Sequence, residues 1–275
     1  MKVILFTFVF IMRNKDNIIY HQILKAKSEK RKLLAILLDP DKIVLDNMEI
    51  LISKINQSPA THVFIGGSQV ENDNIDELIF KLRQFTPFKS REPLPIVLFP
   101  GNPSQISDQA DAILFLSLLS GRNPDYLIEQ QVIAAPILKK TQLEIISTGY
   151  ILVESGNETA VARVSKTKPL DRENLYLALA TAQAGEMLGS KLIYLEAGSG
   201  ANQAVPLEMI ELVSRNIGIP LIVGGGIVSL QGIQNAYDAG ADLVVIGTAF
   251  ENDIHFFDSY LNAKPSSSNL IIQNK

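Results

Sequence analysis

Leu192-Ile193-Tyr194-Leu195-Glu196-Ala197-Gly198-Ser199-Gly200 joins a short apolar strand to a glycine-rich turn. The same pattern returns twice downstream, in Leu221-Ile222-Val223-Gly224-Gly225-Gly226-Ile227 and in Leu243-Val244-Val245-Ile246-Gly247-Thr248. Runs that are apolar on both faces suit parallel strands covered by helices. Working back toward the N-terminus, five more such runs stand at 33–38, 62–65, 96–99, 112–116 and 144–153. With 192–195, 221–223 and 243–246 they make eight. Between them lie stretches with apolar residues three and four apart, at 46–57, 75–85, 125–135, 171–188, 206–216, 230–239 and 253–261, the spacing of amphipathic helices. Pro124, Pro169 and Pro206 stand near helix starts, and Gly189 and Gly240 just past helix ends. The slot after the third strand is thin: 103–109 is barely two turns. Strict alternation of eight strands with crossovers predicts a single (β/α)8 barrel rather than an open doubly wound sheet.

The totals agree. The chain has 275 residues, and a barrel of this kind uses about 250 as one domain. Hydrophobic residues are 47% and charged residues 20%, with a net charge of −4, so bulk electrostatics points to no nucleic-acid partner. The absence of cysteine excludes disulfides, thiolate nucleophiles and thiolate metal sites, and it fits a reducing, cytoplasmic setting. Residues 1–12 form an apolar run too short for a membrane span, which needs roughly 20 residues. Polar residues follow it with no small-residue cleavage site. It reads as an extra strand, as sequence ahead of a start at Met12, or as a weak membrane-contacting segment. The barrel is expected over 13–264, with a loose polar tail at 265–275.

Barrel active sites lie at the C-terminal ends of the strands, and the loops after strands seven and eight often hold a phosphate. Gly198, Gly200, Gly225, Gly226 and Gly247 are all at that end. Residues without side chains let backbone N–H groups approach an anion closely; the plainer alternative is tight strand-to-helix turns. Asp39 stands where strand one stops, in Asp39-Pro40-Asp41-Lys42, and Ser68 follows strand two. An Asp there is a natural Mg²⁺ anchor beside substrate phosphate oxygens, with the Ser68 hydroxyl as second ligand; the plainer alternative is that Asp39 or Asp41 caps the first helix and Ser68 the second, and for Ser68 alone the cap is the better fit. Glu196 closes strand six, placed to act as a base or to orient a hydroxyl, or to bond backbone amides. Tyr194 shares its strand face and either donates to a phosphate or packs in the barrel. The strand interiors hold no lysine, which speaks against a Schiff-base aldolase. His62 opens a strand at the end opposite the chemistry and reads as structural.

Taken together, these motifs resemble the geranylgeranylglyceryl phosphate synthase family, prenyltransferases related to bacterial heptaprenylglyceryl phosphate synthase. The resemblance spans 33–249 and rests on LLDPDK (37–42), FIGGS (64–68), STGYILV (147–153), YLEAGSG (194–200), VGGGI (223–227) and Gly247-Thr248, with FLSLLSGRNPDYLI from Phe115. It implies a Mg²⁺-dependent ether-forming step in which the 3-hydroxyl of sn-glycerol 1-phosphate attacks C1 of geranylgeranyl or a similar polyprenyl diphosphate. By the same resemblance, Asp39 and Ser68 bind the metal. Tyr194, Leu195, Glu196, Ala197, Gly198, Ser199, Gly200, Gly225, Gly226, Gly247 and Thr248 hold the glycerol phosphate, and Glu196 handles the hydroxyl proton. The heptaprenyl enzymes carry Lys two residues before the metal Asp; Leu37 here favours the geranylgeranyl type. A groove for the tail is expected in the wall near Phe99 and Leu116, at the thin slot, and 155–169 reads as a lid. The resemblance also implies a homo-oligomer, and the hydrophobic donor suggests transient contact with a membrane surface. Two rivals remain: a barrel isomerase or synthase acting on a phosphorylated sugar, and a catalytically inactive ligand-binding barrel.

Overall fold

A computed structural model describes residues 17–43, 48–67, 75–84 and 93–262. The eight apolar runs form strands β1 (Leu33–Leu38), β2 (His62–Ile65), β3 (Ile96–Leu98), β4 (Ala112–Leu118), β5 (Glu144–Leu152), β6 (Leu192–Glu196), β7 (Leu221–Gly224) and β8 (Leu243–Ile246). Each strand pairs in parallel with its sequence neighbours, and β8 closes on β1. The expected closed barrel is therefore the fold. Helices α1 (Ile18–Ser28), α2 (Met48–Gln57), α3 (Ile75–Gln84), α4 (Gln130–Leu138), α5 (Ala160–Ser165), α6 (Leu175–Met187), α7 (Leu207–Asn216), α8 (Leu230–Asp238), α9 (Thr248–Asn252) and α10 (Asp258–Asn262) surround it. The expected extension at 1–12 and tail at 265–275 lie outside the described residues.

The period-two geometry of strands sorts the core into two layers. In β1, Leu33 and Ala35 point into the barrel with Phe64, Val97, Leu114, Ile146, Ile222 and Val245. Leu34, Ile36 and Leu38 point outward and pack with helix residues such as Ile52, Leu78, Met209 and Ile233. Both faces of the strands are buried, which is why they read as unbroken apolar runs.

Three elements depart from the expected pattern. The first is α1, which the strand–helix alternation gave no reason to expect. Its Ile19, Ile23 and Ala26 belong to the interior layer, so α1 stops the open N-terminal end of the barrel. The Glu144 carboxylate accepts from the N–H groups of Ile19 and Tyr20, both at 2.8 Å, meeting donors that the first turn of a helix leaves unpaired. Lys27 bonds Asp242 at 2.8 Å nearby. The second is the helix expected at 125–135, which begins as a π-type turn, Asp125–Glu129, and continues as α4 to Leu138. The third is the helix expected at 253–261. Instead, α9 starts directly after β8, Asp253 takes extended backbone, and its side chain accepts from the His255 N–H at 2.9 Å before α10 begins.

Between β3 and β4 the outer layer is thin, as expected: one 3-10 turn, Pro103–Gln105, stands where other strands are followed by longer helices. Consequently Phe115, Leu116 and Ser117 of β4 are only half-buried.

Candidate active site

At the C-terminal mouth of the barrel, a polar cavity is bounded by the ends of β1, β6, β7 and β8. Tyr194, Glu196, Gly198, Ser199, Gly200, Gly225, Gly226, Gly247 and Thr248 all line the cavity, as does Asp39. Leu195 and Ala197 do not line it. They alternate to the other strand face and are fully buried in the outer layer. Ser68 lies outside the described residues.

Glu196 is the chemical centre of the cavity. The residue is 6% exposed. One carboxyl oxygen accepts from the Gly198 N–H at 2.6 Å. Burial pushes its pKa up to about 7, with the Tyr194 hydroxyl and the Gly198 N–H pulling it back. At neutral pH it is thus divided between proton donor and acceptor, the condition that suits a general base. The Tyr194 hydroxyl stands beside it, fully buried and, among the described residues, with no hydrogen-bond partner of good geometry. Burial, then the Glu196 charge, holds this phenol well above its ordinary pKa, so it stays a donor ready for a ligand.

The glycines are required by this packing. Gly225 has φ +78°, and a Cβ there would meet the Glu196 carboxyl at 2.3 Å and the Gly198 nitrogen at 2.6 Å. Gly226 has φ +68° and would clash with Gln203 and Ala204 backbone. These loops are therefore more than generic turns: they bring the β6 and β7 loop backbones together at the mouth. Ser199 and Thr248 close the far side, their hydroxyls 3.3 Å apart.

Asp39 sits across the cavity. It caps the turn that follows β1 rather than α2: one carboxyl oxygen accepts from the Asp41 N–H at 3.2 Å. The other faces the Lys42 ammonium at 3.2 Å. Two neighbours were not singled out in the sequence. Glu251 of α9, its side chain 8% exposed, accepts from the Asp39 N–H and from Lys42, both at 3.1 Å. Burial acts to lower the Lys42 pKa, but Glu251 and Asp39 together raise it above its ordinary value. Lys42 was visible within LLDPDK; Glu251 carried no signal, because its role depends on β8 lying against β1. Among the described residues, no group of three or more His, Cys, Asp or Glu side chains is arranged to hold a metal ion.

The segment expected as a lid covers the mouth from the β5 side. It carries α5, and Glu158, Ala160, Val161 and Arg163 line the cavity. Its base is tied by the Val153–Leu170 bridge and by Arg172, which donates to the carbonyls of Glu154 and Ala204.

A second, apolar cavity leaves the first through the wall, where the thin slot stands. Gly67, Phe99, Tyr150 and Val161 line both cavities. From there the apolar one runs past Pro103, Ile106, Leu116 and Tyr126 to Ala134 of α4. The rings of Phe99, Tyr150 and Tyr194 form a cluster at the junction, with centroids 5.3 to 5.9 Å apart.

Known proteins resemble this chain in sequence and in fold. A protein of Flavobacterium johnsoniae named geranylgeranylglyceryl phosphate synthase is 74% identical over 241 residues, 88% of this chain and 97% of its own. One of the same name from Thermococcus kodakarensis is 41% identical over 226 residues, 82% and 86% of the two chains. The crystal structure of (S)-3-O-geranylgeranylglyceryl phosphate synthase from Thermoplasma acidophilum, in complex with sn-glycerol-1-phosphate, matches with a TM-score of 0.79. It is 30% identical and the match covers 87% of this chain and 94% of that one. The sequence profile of the PcrB family matches residues 21–264, and with the barrel fold in agreement, the chain belongs to the PcrB family.

Proposed function

We propose that this chain is a prenyltransferase that joins the 3-hydroxyl of sn-glycerol 1-phosphate to C1 of geranylgeranyl diphosphate or a similar polyprenyl diphosphate. The observation that carries the reading is the pair of cavities meeting at Phe99 and Tyr150. A polar mouth with glycine-rich loops suits a small phosphate ester, and an apolar groove opening from it suits a long hydrocarbon tail. An isomerase or synthase acting on a phosphorylated sugar has no use for the groove.

In this reading, the loops at Ser199, Gly200, Gly225, Gly226, Gly247 and Thr248 hold the glycerol phosphate, and Tyr194 donates from below. Its 3-hydroxyl then lies toward Glu196. As the new C–O bond forms at C1, the bond from C1 to the diphosphate oxygen breaks and its electron pair leaves with diphosphate. The hydroxyl proton passes to Glu196. Holding nucleophile and C1 together at the junction supplies the main entropic advantage.

Charge is the difficulty. Among the described residues, the polar cavity is lined by Asp39, Asp41, Glu158, Glu196 and Glu251 against Lys42 and Arg163, yet both substrates are anions. A Mg²⁺ ion fits this donor set: the Asp39 carboxylate already faces a cation, the Lys42 ammonium, and Mg²⁺ typically takes one or two carboxylates plus phosphate oxygens and water. Asp39, with Ser68 as the expected second ligand, would hold it. When bound, the ion neutralises the departing diphosphate.

Two wider features belong to the same reading. The outer face of α4 exposes Val132, Ile133 and Ile137, continuing Ile128 of the preceding turn. A contiguous apolar strip supports association with a second copy of the chain. Among the described residues no helix is long and apolar enough to cross a membrane. The hydrophobic donor itself favours transient contact with a membrane surface.

The test is product formation by mass spectrometry from geranylgeranyl diphosphate and each enantiomer of glycerol phosphate, with Mg²⁺ or EDTA. A prenylglyceryl phosphate from the sn-1 enantiomer alone, only with Mg²⁺, is expected. No product with prenyl donors of several lengths would refute the reading.

A further inference from the structure

Glu251 is a nearly buried carboxylate, and burying a carboxylate is costly unless its bonds compensate. It makes two: one to the Asp39 N–H and one to the Lys42 ammonium. Both partners belong to the turn after β1, more than 200 positions away in sequence. A side chain on α9 therefore helps fix the backbone beneath Asp39 and aims the Lys42 ammonium beside it.

The place where that amine stands is informative. Asp39 abuts Gly67: a Cβ on Gly67 would lie 3.2 Å from the Asp39 carboxyl. Gly67 lines both cavities. A donor whose tail occupies the apolar groove brings its diphosphate to that junction, which Gly67 joins to the Asp39 turn. The glycine-rich loops of β6, β7 and β8 stand across the mouth. Of the two described cations that line the polar cavity, Arg163 belongs to α5 and pairs at 3.9 Å with Glu158, both largely exposed. Lys42 is half-exposed and already held at a carboxylate pair, with one ammonium proton left for a third acceptor.

Resting on the prenyltransferase reading, we infer that Lys42 binds the diphosphate end of the donor and that Glu251 is the positioning residue that sets Lys42 and the Asp39 turn for it. Lys42 shifts its bonds from Asp39 to a diphosphate oxygen while Glu251 keeps it at the junction. This frees the Asp39 carboxylate for a cation.

The experiment is calorimetric titration of the full chain, in the presence of Mg²⁺, with inorganic diphosphate and separately with sn-glycerol 1-phosphate. Lys42→Ala is expected to weaken diphosphate binding about tenfold or more, the scale of one lost charge-assisted bond, while glycerol phosphate affinity stays within about twofold. Lys42→Arg should keep most of the diphosphate affinity. Glu251→Gln should lose an intermediate amount and raise KM for the prenyl donor with KM for glycerol phosphate unchanged. If Lys42→Ala does not fold, Lys42→Gln carries the same comparison. Unchanged diphosphate affinity on removing the amine, or equal loss for both ligands, would overturn the inference and leave the proposed function standing. A wild-type chain that binds no diphosphate would overturn both.

Discussion

Glu196 and His62 are buried titratable groups whose effects on stability run in opposite directions. Burial raises Glu196 from the ordinary carboxylate value to about 7. Its folded pKa lies above its unfolded one, so its protonated form is favoured in the fold. The contribution is fully present below the unfolded pKa and is lost as pH rises to about 7. Burial lowers His62 to about 4, at the bottom of the barrel, where Nδ1 meets the Thr61 hydroxyl and Nε2 has no partner among the described residues. Its contribution is present above the unfolded histidine value and is lost as pH falls toward 4. The two trends oppose one another through the acid range. Glu196→Gln removes one of them, so in urea denaturation the variant should gain about 3 kcal/mol over the wild type at pH 8 and almost nothing at pH 4. Turnover by the same variant should fall about 100-fold or more. In the wild type, kcat/KM should rise with pH through an inflection near 7. A flat profile would remove Glu196 as the proton acceptor.

At the scale of elements, α1 and the thin slot do separate work. Ile23 of α1 is 2% exposed inside the barrel floor, so Ile23→Ala should cost about 2–5 kcal/mol in chemical denaturation with both substrate KM values unchanged. A shift in KM would mean that the floor communicates with the mouth. The apolar groove owes its existence to a single 3-10 turn in place of a longer helix after β3. Filling it from the distal wall with Ala134→Phe, or from the strand with Leu116→Trp, should move donor preference toward shorter prenyl chains in competition assays. It should spare glycerol phosphate affinity. Unchanged preference would place the tail elsewhere.

For the molecule as a whole, the apolar strip on α4 is the test of assembly. Ile133→Asp with Val132→Asp should lower the mass measured by light scattering to that of one chain if a second copy covers the strip. A wild type already at the mass of one chain would discard the homo-oligomer.

The barrel was legible in the order of residues alone. Eight runs apolar on both faces, separated by amphipathic stretches, leave little else for strands such as 192–195 and 243–246 to form, because each must be covered twice. That order also placed Asp39, Tyr194, Glu196 and the glycines at one end, since strand direction is fixed once the alternation is known. Tertiary structure decided what depends on closure. The contact of β8 with β1 is what brings Glu251 to Lys42. Strand register turned Leu195 and Ala197 away from the cavity while turning Tyr194 and Glu196 toward it. The role of α1 depends on the empty floor of a finished barrel, which no local pattern in 18–28 describes. The pKa of Glu196 is likewise a property of the closed mouth: the same carboxyl on an open chain keeps its ordinary value, and burial in the finished barrel raises it against the pull of Tyr194 and Gly198.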